Sequence, residues 1–199
     1  MQGDIDRLIA ALALPAGESS DFDLNPPASL PPGRVLRPAA VLIALWVRPE
    51  GIRVILTKRA SHLKHHPGQI AFPGGKVDAG DSGPEAAALR EAHEEVGLAG
   101  ALSTPHGYLD PFVTITGFHV FPVVASVRDG FRAVPDPSEV AEAFEVPLHF
   151  LLDPGNVHAL DVDFQGRQRR ILEFRYGGHR IWGATAAMLV NFRQRLEQG

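Results

Sequence analysis

The chain of 199 residues contains no cysteine. That absence excludes a disulfide framework, a thiolate metal centre and a cysteine nucleophile, and it is compatible with a reducing, cytoplasmic location, where we expect the protein. A long apolar run is also missing. Residues 8–14, LIAALAL, are too few to span a bilayer, and Asp4 and Asp6 ahead of them oppose a positively charged signal-peptide start. The net charge is −4 without any long basic run, so there is no footprint for duplex nucleic acid. The sequence shows no internal repeat and no low-complexity tract beyond its prolines.

What is present suffices for a sizeable core: 45% of the residues are hydrophobic, and the length suits one domain with an extra terminal segment. Residues 4–13 read as a short amphipathic helix. A connector from Pro15 to Pro38, with Pro26-Pro27 and Pro31-Pro32, should be extended and poorly packed. This divides the chain into residues 1–36, helix and connector, and residues 37–199, the main domain. Ala39 to Val47 and Arg53 to Thr57 read as buried strands flanking an Arg48-Pro49-Glu50-Gly51 turn. Further strands are expected at 118–127, 156–163 and 168–175. Ala184 to Leu196 should form a closing helix whose apolar surface comes from Ala187, Leu189, Val190 and Phe192. Strands interleaved with two substantial helices imply an α/β or α+β sandwich.

The most informative stretch is Gly74 to Leu98, a glycine-opened loop running into a helix expected at about residues 83 to 96. Ser82 and Glu85 have capping-box spacing, Pro84 suits a first turn, and Gly97 supplies a stop. At about 100° per residue, Glu91, Glu94 and Glu95 fall within one arc, while Leu89 and Val96 fall nearly opposite. Such a helix would bury an apolar stripe and hold three carboxylates at one point. Acids in its C-terminal half oppose the helix dipole, which favours bound cations over a merely solvated face. Clustered oxygens bind hard divalent ions. His93, between the glutamates, points toward the Leu89 side and reads as a packed histidine.

The stretch resembles the Nudix box, Gly-x5-Glu-x7-Arg-Glu-U-x-Glu-Glu-x-Gly-U, where U is aliphatic. Counting from Gly75, Asp81 takes the place of the usual Glu and eight residues separate it from Arg90; Arg90-Glu91-Ala92-His93-Glu94-Glu95-Val96-Gly97-Leu98 fits. Upstream, Ile55-Leu56-Thr57-Lys58-Arg59-Ala60, Lys64, Gly68 and Phe72-Pro73-Gly74-Gly75 resemble the signature of the coenzyme A pyrophosphatase branch, with Lys64 standing for an Arg. His179-Arg180-Ile181-Trp182-Gly183-Ala184-Thr185-Ala186 is similar to that branch's C-terminal stretch. The resemblance implies the Nudix α/β/α sandwich with a mixed sheet. It also implies Mg²⁺ or Mn²⁺ held by Glu91, Glu95 and Glu94 with the Gly75 backbone close by, and support of the site from Arg90, Asp81 and Gly74.

Residues 58–66, KRASHLKHH, place local positive charge in an acidic protein immediately before this loop, which suggests an anionic, polyphosphate ligand. Arg59 and Lys64 are the candidate substrate contacts, and His65 and His66 read better as phosphate contacts than as metal ligands. Glu139 and Glu142, in PDPSEVAEAFEVPL, resemble the loop glutamates that complete the metal site or act as general base in many Nudix enzymes; the alternative is a helix-start acid near Ser138. Glu94 and Glu139 are the candidate catalytic groups. Trp182 reads as a core residue, with a place against an adenine as the alternative. The activity implied is hydrolysis of the pyrophosphate bond of coenzyme A or its derivatives to 3′,5′-ADP and 4′-phosphopantetheine or its acyl form. The rivals are another nucleoside diphosphate derivative such as ADP-ribose, and a Nudix-fold binding module without turnover. The partner expected is a small coenzyme A-like nucleotide, with neither nucleic acid nor membrane.

Overall fold

A computed structural model of the protein describes residues 2–15, 17–26, 28–164 and 166–198, so that Pro27 of the connector lies outside the described residues, as do Met1, Ala16, Gln165 and Gly199. The order of elements is α1 (Gln2–Leu12), β1 (Ser19–Ser20), β2 (Arg37–Arg48), β3 (Gly51–Arg59), β4 (Ile70–Ala71), β5 (Gly74–Lys76), α2 (Pro84–Val96), β6 (Ser103–Tyr108), β7 (Phe112–Val113), β8 (Phe118–Val127), β9 (Val140–Pro147), α3 (Leu148–Leu152), β10 (His158–Phe164), β11 (Arg167–Tyr176), β12 (His179–Trp182) and α4 (Ala184–Gln198).

The sheet is built on the apolar run of β2. It lies parallel to β8 from Arg37 opposite Phe118 to Trp46 opposite Val127. A parallel pair is covered on both faces, and its strands therefore read as nearly continuous hydrophobic sequence. Alternate side chains divide between two cores. Ile43, Leu45, Val54 and Leu56 pack with Phe192, Leu189 and Met188 of α4 and with Ile5 and Leu8 of α1. Ala40, Leu42, Ala44 and Ile55 pack with Ala87, Ala88, Ala92 and Val96 of α2. The architecture is the expected α/β/α sandwich with a mixed sheet, alongside a small antiparallel sheet of β10, β11 and β12.

The feature that positions the site is a fork. β2 and β3 pair only from Leu45 opposite Val54 to Arg48 opposite Gly51, next to the Pro49-Glu50 turn. Beyond this they separate and the chain from 70 to 76 fills the gap. β4 pairs with β3 through Ala71 and Ile70, and β5 pairs with β2 from Lys76 to Gly74. Between them the Leu42 N–H donates to the Pro73 carbonyl at 2.8 Å, and Phe72 is buried. The Phe72-Pro73-Gly74-Gly75 loop is thus part of the sheet.

Several expectations need correction. The buried face of α2 runs through Ala88, Ala92, Glu95 and Val96, whereas Leu89 is half-buried, so Glu95 lies on the packed face, Glu91 is half-buried and Glu94 is exposed. Small alanines let the helix sit close to the sheet, which draws Glu95 in with them. Gly83 is the N-cap and no side chain caps it, so Ser82 and Glu85 form no capping box; the helix begins one residue too late for that pairing. His93 is exposed and not packed, because the covered face lies on the other side of it. Trp182 is half-buried, with the Arg180 guanidinium 5.4 Å from its ring centroid.

Residues 140–147 form β9, antiparallel to β3, so the helix-start reading near Ser138 fails. The connector is better anchored than its prolines suggest. Ser19 and Ser20 pair with Phe112 and Val113, Asp21 accepts the Ile115 N–H at 2.8 Å, and Asn25 bonds both backbone groups of Arg170. Polar side chains between the prolines supply these anchors. Arg195 of α4 closes the segment by donating to the Leu14 and Pro15 carbonyls.

A Cβ at Gly74, where φ is +157°, would lie 2.4 Å from the Ala40 carbonyl oxygen and 2.6 Å from Val41 Cα, both backbone atoms. At Gly75 the nearest atoms to such a Cβ all belong to the Glu91 carboxylate, 2.4 Å away at Oε1, the far end of a side chain that can turn aside. We therefore expect Gly74→Ala to cost about 2 kcal/mol or more in urea-induced unfolding and Gly75→Ala to cost markedly less. Equal losses would show that the fork is not the rigid part of the loop.

Candidate active site

The site forms where the C-terminal half of α2, the Gly74-Gly75 loop, the end of β3 and the turn before β9 meet. α2 stops there because Gly97 adopts φ 71°, with its N–H on the His93 carbonyl and the Leu98 N–H on that of Ala92. Glu95, in the last turn, is only 4% exposed. Its partners are weak: the Gly74 N–H at 3.3 Å from Oε2 and Arg59 Nη1 at 3.9 Å from Oε1. Burial pushes its carboxyl up to about 7, and the charges of Glu91 and Glu139 push the same way, while Gly74 and Arg59 oppose them. Glu91 packs onto Gly75, where there is no Cβ to displace it. Burial also raises its pKa, Arg90 lowers it, and Glu94 and Glu139 raise it again.

Arg90 organises the acids. Its Nε and Nη2 each donate to an Asp81 carboxylate oxygen at 3.0 Å, and Nη1 donates to Glu91 and Glu94, also at 3.0 Å. The fork on Asp81 is the leading cause that holds Arg90 above its ordinary pKa and Asp81 below its own. The loop's extra residue does not prevent this, because an Asp78 to Asp81 turn brings the carboxylate back. Since Arg90 holds Glu91 and Glu94 while Glu95 turns inward, the three carboxylates do not converge at one point. Among the described residues no group of three or more His, Cys, Asp or Glu side chains is placed to hold a metal ion as it stands. The donor set nevertheless suits a hard divalent cation. It is all oxygen, and the charges of Glu91 and Glu139 raise the pKa of Glu95, as those of Glu94 and Glu139 raise that of Glu91, a repulsion that added positive charge would relieve.

The remaining candidates separate into near and far. Arg59 reaches Glu95, whereas Lys64, His65 and His66 lie in the exposed loop between β3 and β4. That loop is stitched to the Glu139 turn: the Ala60 N–H donates to the Glu139 carbonyl at 2.8 Å, and His62 Nε2 lies 3.0 Å from the Ser138 carbonyl. Asp136 accepts both the N–H and the hydroxyl of Ser138, which makes this a turn and leaves the Glu139 side chain exposed. Glu142 sits on β9 and pairs with His179 Nε2 at 3.1 Å; the His179 ring stacks on Phe144 at 3.8 Å. Sequence reasoning missed this pairing, and the only signal for it was the motif that contains His179.

A sheet-forked glycine loop against a glutamate-bearing helix defines the class, a Nudix-fold hydrolase. The model of the NUDIX domain matches residues 36–164. The "Uncharacterized Nudix hydrolase NudL" of Enterobacter sp. (strain 638) is 44% identical over 153 residues, 77% of this chain and 79% of that one. The protein so described from Yersinia pestis (strain Pestoides F) is 40% identical over 160 residues, 80% of each chain. The crystal structure of a MutT/nudix family protein from Enterococcus faecalis matches 86% of this chain and 66% of its own, at TM-score 0.51 and 16% identity. The MutT protein from Methanosarcina mazei Go1 matches 85% and 97% respectively, at TM-score 0.50 and 18% identity, which bears on the fold alone. The chain belongs to the Nudix family, and is a pyrophosphohydrolase of the kind that generally uses divalent metal ions.

Burial of Glu95 has a consequence for stability. Its folded pKa, about 7, exceeds its ordinary value of 4.5, so the folded state holds a proton that the unfolded state releases between these values. The stability this contributes is fully present below about pH 4.5 and lost as pH rises through 7, on the order of 3 kcal/mol. In chelator, Tm should therefore fall from pH 5 to pH 8, the fall should be smaller in Glu95→Gln, and saturating Mg²⁺ should offset it in the parent protein. A parent and variant with parallel pH profiles would mean that Glu95 is charged throughout.

Proposed function

We propose that the protein hydrolyses the pyrophosphate bond of coenzyme A or its acyl derivatives, yielding 3′,5′-ADP and 4′-phosphopantetheine or its acyl form. One observation carries the reading: Arg59, beside buried Glu95, stands at the start of an exposed basic loop that carries Lys64. A substrate with a pyrophosphate and a separate phosphate asks for both features. Glu91 and Glu95 would hold Mg²⁺ or Mn²⁺, with Glu94 adjacent and the Gly75 backbone giving close approach. The cation, when bound, neutralises the pyrophosphate and acidifies an attacking water. Arg59 then faces a phosphate of the anhydride, and Lys64 is the contact for the 3′-phosphate. Arg90, braced by Asp81, fixes Glu91 and Glu94.

Proton removal is assigned to Glu139. Its charge acts on both Glu91 and Glu95, so it stands near the acids without being buried among them. The water oxygen bonds to phosphorus, the bridging P–O bond breaks, and Glu139 takes the proton. Glu94 is the nearer alternative but is tied to Arg90, and Glu142 is engaged by His179. The second reading, ADP-ribose or another nucleoside diphosphate derivative, uses the same groups apart from Lys64.

A panel of coenzyme A, dephospho-coenzyme A, ADP-ribose and dinucleotides, with products separated by chromatography, decides between them. We expect coenzyme A to give the highest kcat/KM, and Lys64→Ala to raise KM for coenzyme A roughly tenfold while leaving dephospho-coenzyme A nearly unaffected. Higher turnover of ADP-ribose would reject the coenzyme A assignment.

Glu139→Gln should lower kcat about a hundredfold or more with little change in the Mg²⁺ requirement, and should flatten the rising limb of the pH–rate profile. Full activity in Glu139→Gln together with loss in Glu142→Gln would move the base to Glu142. Activity in both would place it within α2.

A further inference from the structure

Beside the carboxylates, on the same face of the sheet, lies a cleft of about 470 Å³ that the chemistry above does not use. Its floor is Ile55 of β3, Ala143 and Glu145 of β9, and Trp46 and Arg48 of β2; its wall is the segment Phe131-Arg132-Ala133. None of the carboxylates of the candidate active site lines it. The two are nonetheless joined. Ile55 and Arg59 lie on one face of β3, about 13 Å apart at strand rise. The wall segment continues into Val134 and Asp136, whose N–H groups donate to the Val96 and Glu95 carbonyls, both at 3.0 Å.

The lining suits a flat, polar heterocycle. Trp46 and Phe131 meet edge to face with centroids 5.1 Å apart, and the Arg48 guanidinium lies 4.1 Å over the indole. Glu145 fixes that guanidinium through Nη1, at 2.7 and 3.0 Å, so its plane is pre-set. Guanidinium planes and aromatic rings are the surfaces on which nucleobases stack. The Trp46 indole N–H is shut off from solvent and has no acceptor among the described residues, so the cleft presents the faces of its planar groups and not this donor. Arg132, exposed at the rim, adds positive charge. The volume lies in the range of small-ligand sites.

We propose that this cleft binds the purine base at the nucleoside end of the substrate, stacked on Arg48 against the edge of Phe131, with Arg132 facing the 5′-phosphate. The assignment rests on the pyrophosphohydrolase reading only for its direction, base in the cleft and diphosphate toward Glu95, and its test needs no turnover. The protein has two tryptophans, Trp46 and Trp182. Full-length Trp46→Phe and Trp182→Phe variants, without divalent metal, are titrated with AMP and with adenosine 3′,5′-bisphosphate while indole emission is followed. The expected result is a saturable change in Trp182→Phe, which reports Trp46, and none in Trp46→Phe. A change confined to Trp46→Phe would overturn the proposal by placing the base at Trp182, and no change in either would overturn it outright. Calorimetry should show that Arg132→Ala, an exposed substitution, weakens AMP and the bisphosphate alike, roughly tenfold; an unchanged Kd would remove Arg132 from the site and overturn that part of the proposal. A protein that binds in this way yet cleaves none of the panel compounds would leave the cleft assigned and the hydrolytic reading rejected.

Discussion

The chain at Gly74-Gly75 is pressed from both sides, and most of the site follows from that compression. On one side is the backbone of β2, too near Gly74 to admit a Cβ; on the other is the Glu91 carboxylate against Gly75. The loop can lie there because β2 and β3 part after their short paired stretch, and β4 and β5 satisfy the hydrogen bonds that the separation would otherwise orphan. A rigid wedge of this kind carries the order of the sheet directly to the acids of α2. It also delivers the Gly74 N–H to Glu95, one of the few groups that partly compensate that buried charge.

Electrostatics in this region are left unbalanced in one place and balanced in another. Asp81 and Arg90 form a forked pair that neutralises itself and holds the loop. Among the described residues Glu95 has only a distant guanidinium and a long hydrogen bond, while Glu91 and Glu139 push its proton affinity further up. Burying a carboxylate this way opposes folding, and a packed stability element would place an apolar residue there. The arrangement makes physical sense for a site that takes in positive charge.

Two surface segments are tied to the same centre. The basic loop after β3 and the turn bearing Glu139 hold each other through Ala60 and His62, so the cationic approach and the exposed acid keep a fixed relation. The wall at 131–136 is fastened to the end of α2 by two backbone hydrogen bonds, which joins the cleft beside Trp46 to the helix that carries the glutamates. Neither link involves residues close in sequence. Apart from the His62 ring, each depends on backbone groups, which any residue but proline supplies on both sides of the bond.

Local sequence determined much of this protein. The buried apolar run of Ala39 to Val47, the strand at 118–127, the extent of α2, its Gly97 stop and the closing helix were legible because each rests on neighbouring residues and their pattern. The motifs named the family and the residues to watch. Tertiary structure alone decided the rest. Only packing of the alanine face shows that Glu95 is buried while Glu94 stays exposed and bound to Arg90, since the helical arc is the same for both. Strand β9 was hidden because its pattern of mixed acids and apolar residues gains meaning only beside β3. The anchored connector, the Glu142–His179 pair and the cleft of Trp46, Arg48 and Phe131 unite residues far apart in the chain. Periodicity reports which face a residue occupies; what stands opposite that face is fixed only by how the chain closes.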